Sequence, residues 1–175
     1  MILSSDLILN DPLWEKAQDV LMGQLGLFDR LIDVFLVACS IGIKNDSQIK
    51  NDEIEFPLAQ PKSIGRNTYL SGINSDLNDT LHMMLENAII TSKHLDFDMD
   101  ERLRLAFNPD HENKKFSPAN FLVAFANYGI KEIFDNINCD LPATTVADDL
   151  YRYLNSQREN GYEDLLESIT LDDLI

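Results

Sequence analysis

Basic residues are few in this chain. Fourteen lysines and arginines face thirty aspartates and glutamates, a formal charge of −16 over 175 residues. A body of that sign repels a phosphate backbone, so unaided binding to nucleic acid is disfavoured, as is adsorption to an anionic membrane. Basic protein surfaces are its natural counterparts, although the same acidity also serves plain solubility. Long apolar runs are missing too. None reaches the roughly 18 residues that cross a bilayer, and the longest candidate, 31–43, is interrupted by Asp33. Residues 1–10 lack a basic region and carry Asp6, so they do not read as a secretory signal, and a cytoplasmic location is expected.

Cysteine and glycine are also scarce. Cys39 and Cys139 both lie in apolar stretches, which suits buried thiols in a reducing compartment better than a disulfide. No C-x-x-C pair exists to build a tetrahedral zinc site. Seven glycines leave little material for a phosphate-cradling loop, and G-x-S-x-G, G-x-x-x-x-G-K-[ST] and G-x-G-x-x-G are all absent.

What the chain does have is helical periodicity. Asp11-Pro12 opens a first helix, with Asp11 as N-cap, running through Trp14, Ala17 and Leu21 to Gly23 or Gly26. A second helix, from Leu27, is apolar almost all round and belongs at the centre of a bundle. Gly42 is expected to end it, with Lys44 complementing the C-terminal dipole. Ser75 or Asp76 caps a third over 77–94, and a short helix carries Arg102, Leu103, Leu105, Ala106 and Phe107. Ser117-Pro118 starts the longest, in which Gly129 marks a kink or a close helix contact. Thr144 or Thr145 caps a last helix that Asn160-Gly161 is expected to stop.

Residues 45–74 hold Pro57, Pro61, Gly65 and Gly72 and should be irregular, with 54–56 and 68–70 as short extended pieces. The fold class is therefore all-α, a compact bundle of about six or seven helices with a long irregular segment near 45–74. Residues 1–158 form the helical domain, and 159–175 an acidic amphipathic C-terminal segment.

Few constellations carry chemistry. Asp96-x-Asp98-x-Asp100 begins like a calcium loop, but Glu101 and Phe107 stand where the turn glycine and the bidentate glutamate are needed. Asp98 or Asp100 is better read as an N-cap, with Glu101 in the first turn. His82 and Glu86 share a helix face at i, i+4, but two ligands do not make a metal site. Cys39 has only Val37, Ala38 and Ile41 around it, which suits packing rather than nucleophilic attack. Lys114-Lys115 and Arg102-x-Arg104 are set among acids and read as solvated surface; Lys62 and Arg66 could touch a phosphate or an acidic partner. No catalytic residue, cofactor or metal is expected.

The C-terminal run is more informative. Between 159 and 175 there are six acids and no base, interleaved with leucine and isoleucine. Such a segment either docks on its own bundle or enters a basic-rimmed apolar groove of a partner. Its candidate partner-binding residues are Glu163, Asp164, Leu165, Leu166, Ile169, Leu171, Asp172, Asp173 and Leu174.

Two stretches carry a resemblance. One is Leu27-Phe28-Asp29-Arg30-Leu31-Ile32-Asp33-Val34-Phe35-Leu36-Val37-Ala38-Cys39-Ser40-Ile41-Gly42-Ile43-Lys44. The other is Phe125-Ala126-Asn127-Tyr128-Gly129-Ile130-Lys131-Glu132-Ile133, with Arg102-x-x-x-x-Phe107 upstream. In that order they resemble the small associated proteins found beside bacterial DNA-phosphorothioation (Dnd) genes, especially the type labelled associated protein four. The resemblance covers residues 13–44 and 100–138, and the chain departs from it at 45–74 and in its acidic C-terminus. It implies a bacterial cytosolic accessory protein in a defence-linked neighbourhood and carries over no catalytic residue.

The function expected is a non-enzymatic accessory or regulatory protein that binds a protein partner with a basic surface, without direct nucleic-acid or membrane contact and with homo-oligomerisation open. One alternative is an acidic DNA mimic that inhibits a nucleic-acid-binding enzyme. Another is a small enzyme whose site gathers His82 and Glu86 with Arg102 or Arg66.

Overall fold

The computed structural model describes residue 3 and residues 5–70, 75–108 and 111–168, the side chains of 70, 75 and 157–168 excepted. The described residues form a helical bundle with one small sheet. The helices are α1 (Leu13–Ala17), α2 (Leu31–Lys44), α3 (Asn67–Leu70), α4 (Ser75–Thr91), α5 (Met99–Phe107), α6 (Pro118–Asn136) and α7 (Ala143–Ser168). The strands β1 (Leu7–Leu9) and β2 (Lys62–Ile64) pair antiparallel, Leu7 opposite Ile64 and Leu9 opposite Lys62.

The two most apolar helices of the sequence, α2 and α6, cross at the centre and share the largest contact between any two elements. Small residues allow it. A Cβ on Gly42 would overlap the Phe125 carbonyl and come within 2.9 Å of Phe125 Cα. A Cβ on Gly129 would overlap the Ala38 carbonyl and come within 2.9 Å of Ala38 Cα. Each glycine thus seats the other helix's backbone, one turn away from the partner glycine. Gly42 therefore does not end α2, as the sequence suggested; it lies inside the helix because the crossing needs it there.

Termination falls instead to Asp46, the described non-glycine residue with positive φ (43°). The Asp46 N–H donates to Ile43 O and the Ser47 N–H to Gly42 O, both at 3.0 Å, the paired bonds of a Schellman ending. Asp46 also ties α2 to the end of α4, since its carboxylate accepts from the Lys93 N–H at 3.0 Å.

Several helix starts follow the sequence. Asp11 accepts from the Leu13 N–H at 2.9 Å, Asp98 from the Glu101 N–H at 2.8 Å and Ser117 from the Asn120 N–H at 3.4 Å. Other expectations need correction. α1 does not run on as regular α-helix; it widens into π-helix over Gln18–Gln24 before Gly26 turns the chain at φ 60°. Residues 68–70 are helical, in α3, and the extended piece is Lys62–Ile64. That strand finds a partner in Leu7–Leu9, whose Leu7 and Leu9 point into the core while Ile8 faces out. α7 continues through Asn160-Gly161 to Ser168, so one helix crosses from 158 to 159.

The irregular segment is pinned to α6 by hydrogen bonds. The Ile49 N–H donates to Ala124 O at 2.9 Å. Asn127, fully buried, donates to Ile49 O at 3.0 Å and to Asn51 Oδ1 at 3.2 Å, and accepts from Trp14 Nε1 at 2.8 Å. One side chain thereby joins α1, α6 and the segment, and its buried polar atoms are satisfied. Both cysteines are free thiols. Cys39 is buried against Leu122 O, and burial pushes its thiol far above the ordinary range.

Gly42→Ala and Gly129→Ala should each destabilise the protein by about 3 kcal/mol or more, because backbone rather than a movable side chain meets the new methyl. Gly23→Ala, whose Cβ would meet only Gln18 O at 3.4 Å, should change stability by less than about 1 kcal/mol. Urea denaturation of the three variants measures the contrast.

Candidate functional site

The nine C-terminal residues singled out by sequence divide in two. Glu163, Asp164, Leu165 and Leu166 lie on the backbone of α7, whose N-terminal half docks through buried Val146 and Leu150. Their side chains, and the whole of Ile169, Leu171, Asp172, Asp173 and Leu174, lie outside the described residues.

The dispersed catalytic cluster does not assemble. His82 and Glu86 share a narrow crevice with Leu85, Ile89 and Ala106 that has no room for a water-sized molecule. Arg66 sits just past β2, where its N–H donates to Asp6 at 2.7 Å. Arg102 is committed elsewhere. Its guanidinium donates to Phe97 O (3.0 Å), Ser92 O (2.6 Å), Leu95 O (2.5 Å) and, at 3.4 Å, Ile90 O. It thus gathers orphan carbonyls at the end of α4 and in the chain that follows. Among the described residues no three histidine, cysteine or acidic side chains come together as metal ligands.

What the fold does build is a rigid platform around α5. Asp98 caps the helix, and Asp100 and Glu101 complement the positive end of its dipole. Leu105 and Ala106 bury its inner face. Glu101 accepts from Asn113 Nδ2 at 2.8 Å and meets His111 Nε2 at 3.0 Å. The His111 hydrogen bond, then that of Asn113, holds the Glu101 carboxyl below the usual carboxylate range. Together with Arg102 these contacts anchor the N-terminal half of α5, and the burial of Leu105 and Ala106 holds the rest.

The outer face of this helix carries an apolar stripe, beside which Asp100 and Arg104 are also exposed. Met99, Leu103 and Phe107 stand four residues apart and are 54%, 43% and 63% exposed. On α4, the helix against which α5 packs, Met83 is 66% exposed. Asp96, Asp98 and Asp100, all exposed, flank the near end of the ridge. Scattered exposed apolar residues need no explanation, but large ones repeated at helical spacing on one helix make a candidate interaction surface. The sequence showed the apolar residues of this short helix but not which face they take. Leu103, Leu105, Ala106 and Phe107 point around much of the helix, and only the packed structure separates the inner pair from the outer pair.

Comparison with known proteins adds no assignment: no family model, no curated protein and no solved structure matches this chain. No helix among the described residues is long and apolar enough to cross a membrane.

Arg102→Ala should lower stability by about 2–3 kcal/mol, because carbonyls now served by a charged donor lose it. Arg102→Lys should recover less than half of that loss, since one ammonium cannot reach carbonyls spread along the fork. Thermal and urea unfolding of both variants would measure it.

Proposed function

We propose that this protein is a non-enzymatic interaction module that docks a basic amphipathic segment of a partner protein on the α5 ridge. The observation that carries this reading is the stripe of Met99, Leu103 and Phe107 on a helix locked from behind and flanked by aspartates. A partner helix presenting apolar anchors at i, i+4 and lysines or arginines alongside would cover the ridge and meet those acids. Met99 adds adaptable surface for such a segment. The overall charge of −16 steers a basic partner toward the chain and disfavours a second copy of itself.

The accessory role beside a DNA-phosphorothioation system, implied by the sequence resemblance, supplies a fitting partner class, since proteins that handle DNA carry basic surfaces. Glu163, Asp164, Asp172 and Asp173, with Leu165, Leu166, Ile169, Leu171 and Leu174, would extend the same acidic and apolar chemistry at the other end of the chain. No cofactor is part of this reading.

The test compares the wild type with Met99→Ser/Leu103→Ser/Phe107→Ser as baits in the native host. Capture is run at about 50 mM and about 500 mM salt, where exposed charges go from weakly to strongly screened. A stoichiometric basic partner present on the wild type and lost from the triple variant, with weaker capture at high salt, is the expected result. Retention of the same partner by a folded triple variant would remove the ridge from the account.

A further inference from the structure

A second feature shares no residue with the α5 ridge. Between residues 48–52, the stretch after α4 and the N-terminal turns of α6 is a cleft of about 480 Å³. That size falls in the range of small-molecule sites. Its floor is apolar, made by Leu95, Phe116, Phe121 and Ala124. Phe116 and Phe121 pack edge-to-face at 5.2 Å, and Phe121 meets Phe125 at 5.1 Å in the same way, so the floor continues into the aromatic core.

The rim is polar, and its charge runs against the rest of the molecule. Lys50 and Lys115 line the cleft with a single acid, Asp52, in a chain where acids outnumber bases thirty to fourteen. Both lysines are exposed, and neither side chain has an ion pair among the described residues, whereas Lys62 and Lys131 are neutralised by Glu15 and Asp135. Gln48, Asn51 and Asn120 add amide groups, and buried Gln48 Nε2 has no hydrogen-bond partner. The first turn of α6 forms one wall, so the positive end of a 19-residue helix reinforces the lysines.

The walls are preformed. Asn51 is held by Asn127 at 3.2 Å, and the chain at Ile49 is held by α6. His94, also on the lining, is fixed by its ring Nε2 donating to Asp46 O at 2.8 Å.

We propose that this cleft binds a mononucleotide-sized organic phosphate. Its phosphate would lie between Lys50 and Lys115 at the α6 N-terminus. Its flat apolar body would cover Phe116 and Leu95, and the amides of Gln48, Asn51 and Asn120 would meet its polar edge. A free small molecule fits rather than a nucleic-acid strand, because the acidic body beyond the cleft repels a polyanion. The site does not depend on the α5 ridge.

The test is titration of the full ¹⁵N-labelled chain with each 5′-mononucleotide, with adenosine, with inorganic phosphate and with a short single-stranded DNA. At least one mononucleotide should shift amide signals of residues 48–52 and 115–121, with a dissociation constant below about 1 mM. It should bind at least about tenfold more tightly than adenosine, since the charge-assisted bonds to phosphate are absent from the nucleoside. Lys50→Gln/Lys115→Gln should lose about tenfold or more in affinity, and its melting temperature should match the wild type because both side chains are exposed. The Met99→Ser/Leu103→Ser/Phe107→Ser protein should bind the nucleotide as the wild type does. The proposal is overturned by silence of those amides up to about 5 mM ligand, by equal affinity for adenosine, by binding indifferent to the two lysines, or by tighter binding of the DNA strand.

Discussion

Everything in this structure is arranged around one close approach, the crossing of α2 and α6. Gly42 sits on the backbone of Phe125 and Gly129 on that of Ala38, so at these two points the helices touch through main chain. Close approach lets the flanking residues of both helices fill the space on either side without voids. Phe35, Cys39, Leu122, Phe125 and Ile130 are fully buried around it. The consequences spread outward. α6 becomes the strut that Asn127 uses to hold Trp14 and the 49–51 stretch, and its first turns become a wall of the lysine-rimmed cleft. α2, ended by Asp46 instead of by its glycine, reaches the end of α4 and from there the platform of α5.

Much of the helical content was legible because its signals are local. Asp11, Asp98 and Ser117 cap where their side chains suggest, since an N-cap is a contact within a few residues. Apolar periodicity placed α2 at the centre and outlined α6 for the same reason. The errors share a physical origin. Gly42 looks like a terminator, and the packing reason for its place in mid-helix lies on a helix more than eighty residues away. Asn160-Gly161 looks like a stop as well, yet α7 passes through it. The strand Lys62–Ile64 depends on Leu7–Leu9, a non-local pairing of three residues that leaves almost no pattern in either segment.

The candidate surfaces were less legible than the fold. Arg102 read as solvated charge, but it is consumed by carbonyls that only the tertiary structure brings within reach. Leu103 and Phe107 read as part of a helix's apolar content, but they face out. Lys115 read as a base diluted by acidic neighbours, whereas folding sets it on one cleft with Lys50, in the segment that sequence could describe only as irregular. In each case the chemistry is a relation between residues distant in sequence.

Hydrogen–deuterium exchange on the intact chain tests the organising role of the helix crossing most directly. Amides of residues 38–43 and 125–130 should be the last to exchange, opening only with global unfolding, while α5 and the 45–64 segment exchange earlier through local opening. Contradiction would come from α4 or α7 outlasting both of those stretches, because the core would then be nucleated somewhere other than the contact between Gly42 and Gly129 and their partners.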